Sequence, residues 1–193
     1  MKKEINQKNI EKLIKSLIVE LGDDPEREGL KETPARVARM YAEVFEGIRY
    51  TNLEIAQKFN KCFEEISSQD LVLLKNIEVF SYCEHHLALI YNMRVHVGYI
   101  PNGRVIGLSK IARIADMAAK RLQLQERLGA DIAEILQTVL ATSDVIVVIE
   151  GMHSCMTARG IKSSNALTRT ASLRGLFETD ATLRGEVYSL ING

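Results

Sequence analysis

Several features that mark specialised proteins are scarce in this 193-residue chain. Cysteine is one: three residues, an odd number at wide spacing, do not make a disulfide framework. Proline is another, with only Pro25, Pro34 and Pro101. There is no obvious linker, internal repeat or low-complexity segment, and the length suits one domain of ordinary size. Charge of either sign is not in excess: 25 Lys and Arg against 25 Asp and Glu leave a formal net charge of zero. That balance argues against a nucleic-acid coat or an anionic membrane surface, so an anionic ligand must be met by a local basic cluster. The start, MKKEINQKNI, is polar with no apolar run behind it, and no membrane-length apolar stretch follows. The expected setting is reducing and cytoplasmic, with no nucleic-acid and no membrane partner. Thiolates there are available to metals.

What is present is the composition of a globular protein, 46% apolar and 26% charged. Ile10, Leu13, Ile14, Leu17, Ile18 and Leu21 recur at helical steps, and Gly22 with Pro25 ends the pattern. A second helix is expected with Thr33 as N-cap, Pro34 at its first position, and an apolar face of Val37, Met40, Val44 and Phe45. Near residue 70 the texture changes. Leu71 to Phe80 and Leu87 to Ile100 read as strands, and in the second Met93, Val95, Val97 and Tyr99 alternate with Arg94, His96 and Gly98. Asn102-Gly103 signals a turn. Ser109 is placed as the cap of a helix carrying Ile111, Ile114, Met117 and Ala118. The next helix carries Leu128, Ile132, Ile135, Leu136, Val139 and Leu140. Val145 to Ile149 is a short apolar strand, 153–177 is expected to be extended and polar, and a last helix carries Leu183, Val187, Leu190 and Ile191. Helices, hairpin, helix pair, hairpin, helix is an α+β order with an antiparallel sheet.

Cys83-x-x-His86, in the polar turn between the first two strands, has the spacing of a metal-binding pair. Met152-His153-Ser154-Cys155 follows the apolar strand, and on a strand His153 and Cys155 would share a face. Three of the four histidines and two of the three cysteines fall in these two short segments. If Cys83, His86 and Cys155 bind one zinc, three protein ligands leave the fourth position open, as catalytic sites do; a fourth from His85 or His153 would make the site structural. Three are favoured, because adjacent His85 and His86 do not readily aim at one ion. His85 and His153 are then free to carry protons. Cys62, in the helical, polar part, reads as a plain thiol. Lys110 and Arg113 stand near a helix start, where a cation is unfavourable unless an anion offsets it. Arg159 and Lys162 add positive charge close after Cys155. Glu126, read from spacing alone, pairs with Arg121 or Arg127.

Tyr82-Cys83-Glu84-His85-His86, Gly107-Leu108-Ser109-Lys110, Gln125-Glu126-Arg127-Leu128 and His153-Ser154-Cys155-Met156-Thr157-Ala158-Arg159-Gly160 together resemble GTP cyclohydrolase I, in order and spacing, from about Thr33 to the C-terminus. After His86 the chain reads Leu-Ala-Leu-Ile-Tyr-Asn where many members carry Pro-Phe and a Gly, a departure that touches no ligand position. The resemblance implies the T-fold, an antiparallel sheet with two helices on one face. An N-terminal helical region, 1–65, would precede a catalytic unit, 66–193. It further implies a homo-oligomer, a decamer of two pentamers with active sites at subunit interfaces. By the same carry-over Zn2+ is the cofactor, held by Cys83, His86 and Cys155, and GTP is the substrate. Glu126 takes the guanine N1–H and exocyclic amine, with Gln125 beside it. Lys110, Arg113 and Arg159 hold the triphosphate, Ser109 lies near ribose or phosphate, and Arg36 reaches in from a neighbouring subunit. His85 or His153 protonates N7, the imidazole ring opens, formate leaves, and the ribose rearranges to dihydroneopterin triphosphate. A nitrile reductase of the queuosine pathway would need a nucleophilic cysteine and a nicotinamide site, and the HxE with PCxxC of nucleoside deaminases is absent. A zinc-stabilised binding module would leave His85 and His153 without a task.

Overall fold

The computed structural model describes residues 4–64 and 69–193. The boundary expected between 65 and 66 falls outside them. Two helices open the chain, α1 (Gln7–Glu20) and α2 (Thr33–Val44), and pack on each other. The stripe that marks α1 as a helix is mostly uncovered: Leu13, Leu17 and Leu21 are 67%, 51% and 76% exposed, and only Ile18 is buried. The N-cap of α2 is Glu32 rather than Thr33, which lies inside the first turn, and the face α2 buries is Pro34, Ala38 and then Phe45. Val37 is half-buried at the edge of that face, and Met40 is 41% exposed.

A 3-10 turn (Glu46–Arg49), α3 (Asn52–Lys58) and β1 (Cys62–Glu64) lead into the sheet. Cys62 is therefore on a strand, paired opposite Ile106, with its thiol donating to Val139 O at 3.4 Å; burial pushes its pKa up. β2 (Val72–Cys83), β3 (Ala88–Tyr99), β4 (Arg104–Ile106), α4 (Leu108–Ala119), β5 (Leu122–Gln123), α5 (Gln125–Leu140), β6 (Val145–His153), α6 (Ser154–Thr157), β7 (Thr168–Arg174), α7 (Leu176–Thr179) and α8 (Ala181–Asn192) follow. The five-stranded sheet has the order β5-β2-β3-β6-β7. Its pairings are antiparallel except for the two-residue parallel contact of β5 with the end of β2.

α4 and α5 lie on one face, as the T-fold resemblance implies. Met93, Val95, Val97 and Tyr99 bury into the core they make with Ile111, Ile114, Leu128, Ile132, Ile135 and Leu136. Ile55 and Ala56 from α3, and Phe59 directly after it, belong to that same core. The opposite face carries a second cluster in which Phe177 and Val187 cover Ile146 and Val148. The 153–177 segment is less extended than expected: α6 turns the chain directly after β6, and only 168–174 pairs as a strand. Ser109 is the second residue of α4, not its cap; Gly107 occupies that place without a side-chain hydrogen bond.

Candidate metal centre and its surroundings

β2 and β3 form a hairpin whose turn, Glu84 to Leu87, carries the two histidines. Its start is fastened by β5, because Cys83 pairs with Gln123 and Glu84 N–H donates to Gln123 O at 3.1 Å. The turn closes with His86 N–H donating to Cys83 O at 3.4 Å, and Leu87 takes a φ of +51°, a left-handed conformation that costs a bulky residue energy. A second fastening is the ion pair of Glu84 with Arg127 at 2.6 Å.

Cys155 arrives from the other side. Expected on a strand in line with His153, it sits instead on α6, one residue into the helical turn after β6 ends. Since β3 lies between β2 and β6, a strand continuing straight would carry Cys155 past the site. The turn brings it back over β3, where Tyr91 donates from its hydroxyl to Thr157 Oγ1 at 3.3 Å. Ligand atoms of Cys83, His86 and Cys155 then lie within 4.8 Å of one another, and these three form the one such group among the described residues. Cys83 is buried, Cys155 half-buried and His86 exposed.

The donor set fits a metal. Burial, then the neighbouring Cys83 sulfur, push the Cys155 thiol pKa up, so two adjacent thiolates need a cation to coexist. Arg159 donates to His86 Nε2 at 3.0 Å, so that nitrogen carries no proton, and the guanidinium engages the lone pair that an ion would take. Neither His85 nor His153 joins the group. His85 Nδ1 stands 3.8 Å from Cys83 Sγ, and His153 Nε2 is 3.0 Å from Gln125 Oε1. Burial holds the His153 pKa below the ordinary imidazole value, against the opposing pull of the Glu126 carboxylate.

Glu126 occupies the exposed first turn of α5, beside buried Gln125. It pairs with neither Arg121 nor Arg127, contrary to the reading from spacing: Arg121 goes to Asp131 at 3.0 Å and Arg127 to Glu84. Its carboxylate makes no ion pair among the described residues. Thus Cys83, His85, His86, Gln125, Glu126, His153 and Arg159 gather at one end of the sheet. Ser109, Lys110 and Arg113 do not. Ser81 donates to Ala119 O at 2.8 Å, so the C-terminal end of α4 is the end beside the metal cluster. Ser109 is ten residues earlier, about 15 Å away along the helix at 1.5 Å per residue. Lys110 and Arg113 make no ion pair among the described residues, and Arg36, on α2, is paired with Glu32 at 2.5 Å.

No spacing signal marks Tyr91 or Arg127 as part of this arrangement, because each acts through a partner distant in sequence; Gln125 is expected there only through the family resemblance. A groove of about 500 Å³ on the sheet surface, lined by Glu78, Phe80, Asn92, Arg94 and Glu150, lies apart from these groups. No helix among the described residues is long and apolar enough to cross a membrane.

Residues 10–192 match the sequence model of the family described as GTP cyclohydrolase I. A GTP cyclohydrolase 1 of Clostridium acetobutylicum is 58% identical over 190 residues, covering 96% of this chain and 97% of that protein. The GTP cyclohydrolase 1 of Ruminiclostridium cellulolyticum is also 58% identical, over 191 residues that cover 96% of this chain and 98% of its own. Among solved structures, an archaeosine synthase QueF-Like in the apo form aligns with 56% of this chain and 97% of its own, at TM-score 0.46 and 23% identity. That last likeness adds nothing to the argument. The first two findings, joined to the Cys-His-Cys group, place the chain in the GTP cyclohydrolase I family, hydrolases that perform the first step of pterin and folate biosynthesis.

Proposed function

We propose that this chain opens the imidazole ring of GTP in a zinc site held by Cys83, His86 and Cys155, completed by basic residues of a second copy. The observation that carries the reading is a three-residue ligand group with two histidines beside it that are not part of it. Zinc supplies Lewis-acid activation of water when bound. The remaining work falls to side chains. Glu126 accepts from guanine N1–H and the exocyclic amine, a donor pair that suits a carboxylate. His85 and His153 move protons: one protonates N7 as water adds at C8, and the C8–N9 bond then breaks to a formamide. A second hydrolysis releases formate, and the ribose rearranges and recloses as dihydroneopterin triphosphate.

Arg159 is the one proposed triphosphate group that stands beside the metal residues of its own chain. Ser109 and Lys110 lie in the first turn of α4, at the opposite end of that helix from the metal residues, with Arg113 one turn on. In this reading a neighbouring subunit presents them to the triphosphate, and Arg36 enters from a further copy. The decamer of two pentamers is what the resemblance to the family implies, and the placement of these basic groups supports sites shared between subunits. An N-terminal helical region (1–65), from which α3 docks on the core, a catalytic unit (66–193) and a cytoplasmic location complete the reading.

The test is incubation of zinc-loaded protein with GTP, following formate and the pterin chromophore together. About one zinc per chain is expected, with both products; metal-replete protein giving neither would overturn the proposal. Subunit sharing has its own test. Mixed oligomers of Cys83→Ala chains and Arg113→Ala chains, each inactive alone, are expected to regain activity. Mixtures that stay inactive would place both sets of groups in one chain.

A further inference from the structure

We propose that Gln125 is a positioning residue that fixes the tautomer of His153, so that His153 gives and takes protons through Nδ1. The inference rests on the proposed role of His153 as proton carrier and specifies which nitrogen performs it.

Gln125 is 1% exposed at the start of α5. Its Nε2 stands 3.0 Å from Ile149 O, 3.1 Å from Thr168 O and 3.3 Å from Thr170 Oγ1. Two of those partners are backbone carbonyls, which only accept. The amide nitrogen must therefore face them, and the side-chain oxygen must face the other way; a flipped amide would set oxygen against oxygen. The carbonyls belong to the β6–β7 strand pair, in which Ile149 pairs with Thr170 and Gly151 with Thr168. The seat is thus built on paired strands, not on a loop.

What remains of the amide is Oε1, and it lies 3.0 Å from His153 Nε2. An amide oxygen has no proton to give, so Nε2 must donate. A neutral imidazole carries one N–H; with that proton on Nε2, Nδ1 holds the free lone pair. Room for this contact depends on Gly151, where a Cβ would stand 3.0 Å from Gln125 Oε1 and 3.2 Å from Met93 Cγ.

The proton count follows. In the imidazolium both nitrogens carry protons, and Nε2–H stays on Gln125. The Nδ1 proton goes to the substrate nitrogen, leaving a neutral ring, and Nδ1 recovers a proton from the attacking water. Gln125 keeps every hydrogen bond through this cycle. Because its nitrogen and its oxygen are both engaged by protein, Gln125 stands behind His153 and not against the purine.

The experiment is 15N solid-state NMR of zinc-loaded, histidine-labelled enzyme above the imidazole titration range, with His153→Gln identifying the His153 signals by their loss. The expected spectrum shows Nε2 protonated and Nδ1 bare; an Nδ1–H tautomer overturns the inference. Gln125→Ala is expected to lower kcat about 10- to 100-fold, as loss of such supporting partners does, with KM for GTP changed less than about threefold. A raised KM with kcat intact would show a purine contact and overturn it. If that variant fails to fold, the wild-type spectrum alone decides. Formate release is measured on the same preparation. Formate together with the Nδ1–H tautomer defeats this inference alone, whereas absence of formate defeats the proposed function.

Discussion

Asp131 sits where the structure makes a single carboxylate responsible for three connections. Its Oδ2 accepts from Arg121 at 3.0 Å and from Gln123 Nε2 at 2.9 Å, and its Oδ1 accepts from Asn52 at 3.1 Å. Both side chains of the Arg121–Asp131 pair are only 15% exposed. Asp131→Ala would take from the guanidinium its carboxylate partner, while it keeps Gly47 O, Tyr50 O and Asn52 Oδ1. Gln123 keeps Ala118 O, and Asn52 keeps Glu134. Breaking a fully buried pair costs about 3–5 kcal/mol and an exposed one less than about 1. With this residual exposure and the surviving acceptors, about 2–3 kcal/mol is the working figure. For a chain of this length that corresponds to a fall in Tm of about 4–12 °C. Differential scanning calorimetry of the zinc-saturated protein reads it directly. The metal site should respond as well, because Gln123 O holds Glu84 at the root of the ligand turn; zinc should leave faster to a chelator. Asp131→Asn, which removes the charge but keeps an acceptor oxygen, should cost less than Asp131→Ala. A Tm within about 1 °C of wild type for Asp131→Ala, or Asp131→Asn worse than Asp131→Ala, would refute the reasoning.

Substitution within the metal centre should separate holding from reacting. Cys83→Ser and Cys155→Ser are expected to lose most bound zinc by atomic absorption. His85→Ala and His153→Ala should keep it while kcat falls by about 10²–10⁴, and zinc loss in either would make that histidine a ligand. His96, 3% exposed on β3, has its pKa lowered by burial, with Glu150 opposing and Arg169, Arg94 and Lys75 reinforcing. A folded-state value below the unfolded one means the unfolded chain binds the proton more readily, so stability is lost as pH falls from about 6.5 through the folded value. Denaturant midpoints measured at about pH 7.5 and 5.5 should therefore converge in His96→Gln relative to wild type; an unchanged gap would assign the pH dependence elsewhere.

How far the sequence alone reaches can be judged residue by residue. Met93, Val95, Val97 and Tyr99 show their strand, and Leu128 to Leu140 their helix, because a buried face stamps its period on neighbouring positions. Cys83 and His86 are readable for a different reason: the end of β2 and the short turn after it keep them close in sequence as in space. The caps at Thr33 and Ser109 were misjudged because capping depends on backbone angles that Glu32 and Gly107 adopt in the fold. Cys155 was joined to the right partners by the wrong geometry, since the strand period was carried two residues past the end of β6.

The basic residues of α4 bear hardest on function. Their sequence neighbourhood shows charge at a helix start, and the metal motif shows a site, but neither contains the distance between them. The Ser81–Ala119 and Gln123–Ala118 contacts reveal which end of α4 is near the metal residues, and it is the end away from Lys110 and Arg113. A helix about 18 Å long cannot bend its first turn back to its last. Under the proposed function, with Lys110 and Arg113 supplied by a neighbouring chain, a single chain holds every type of residue the reaction needs but does not complete the site alone. For this reason the mixed-oligomer result, more than any single substitution, tests whether the site is built as described.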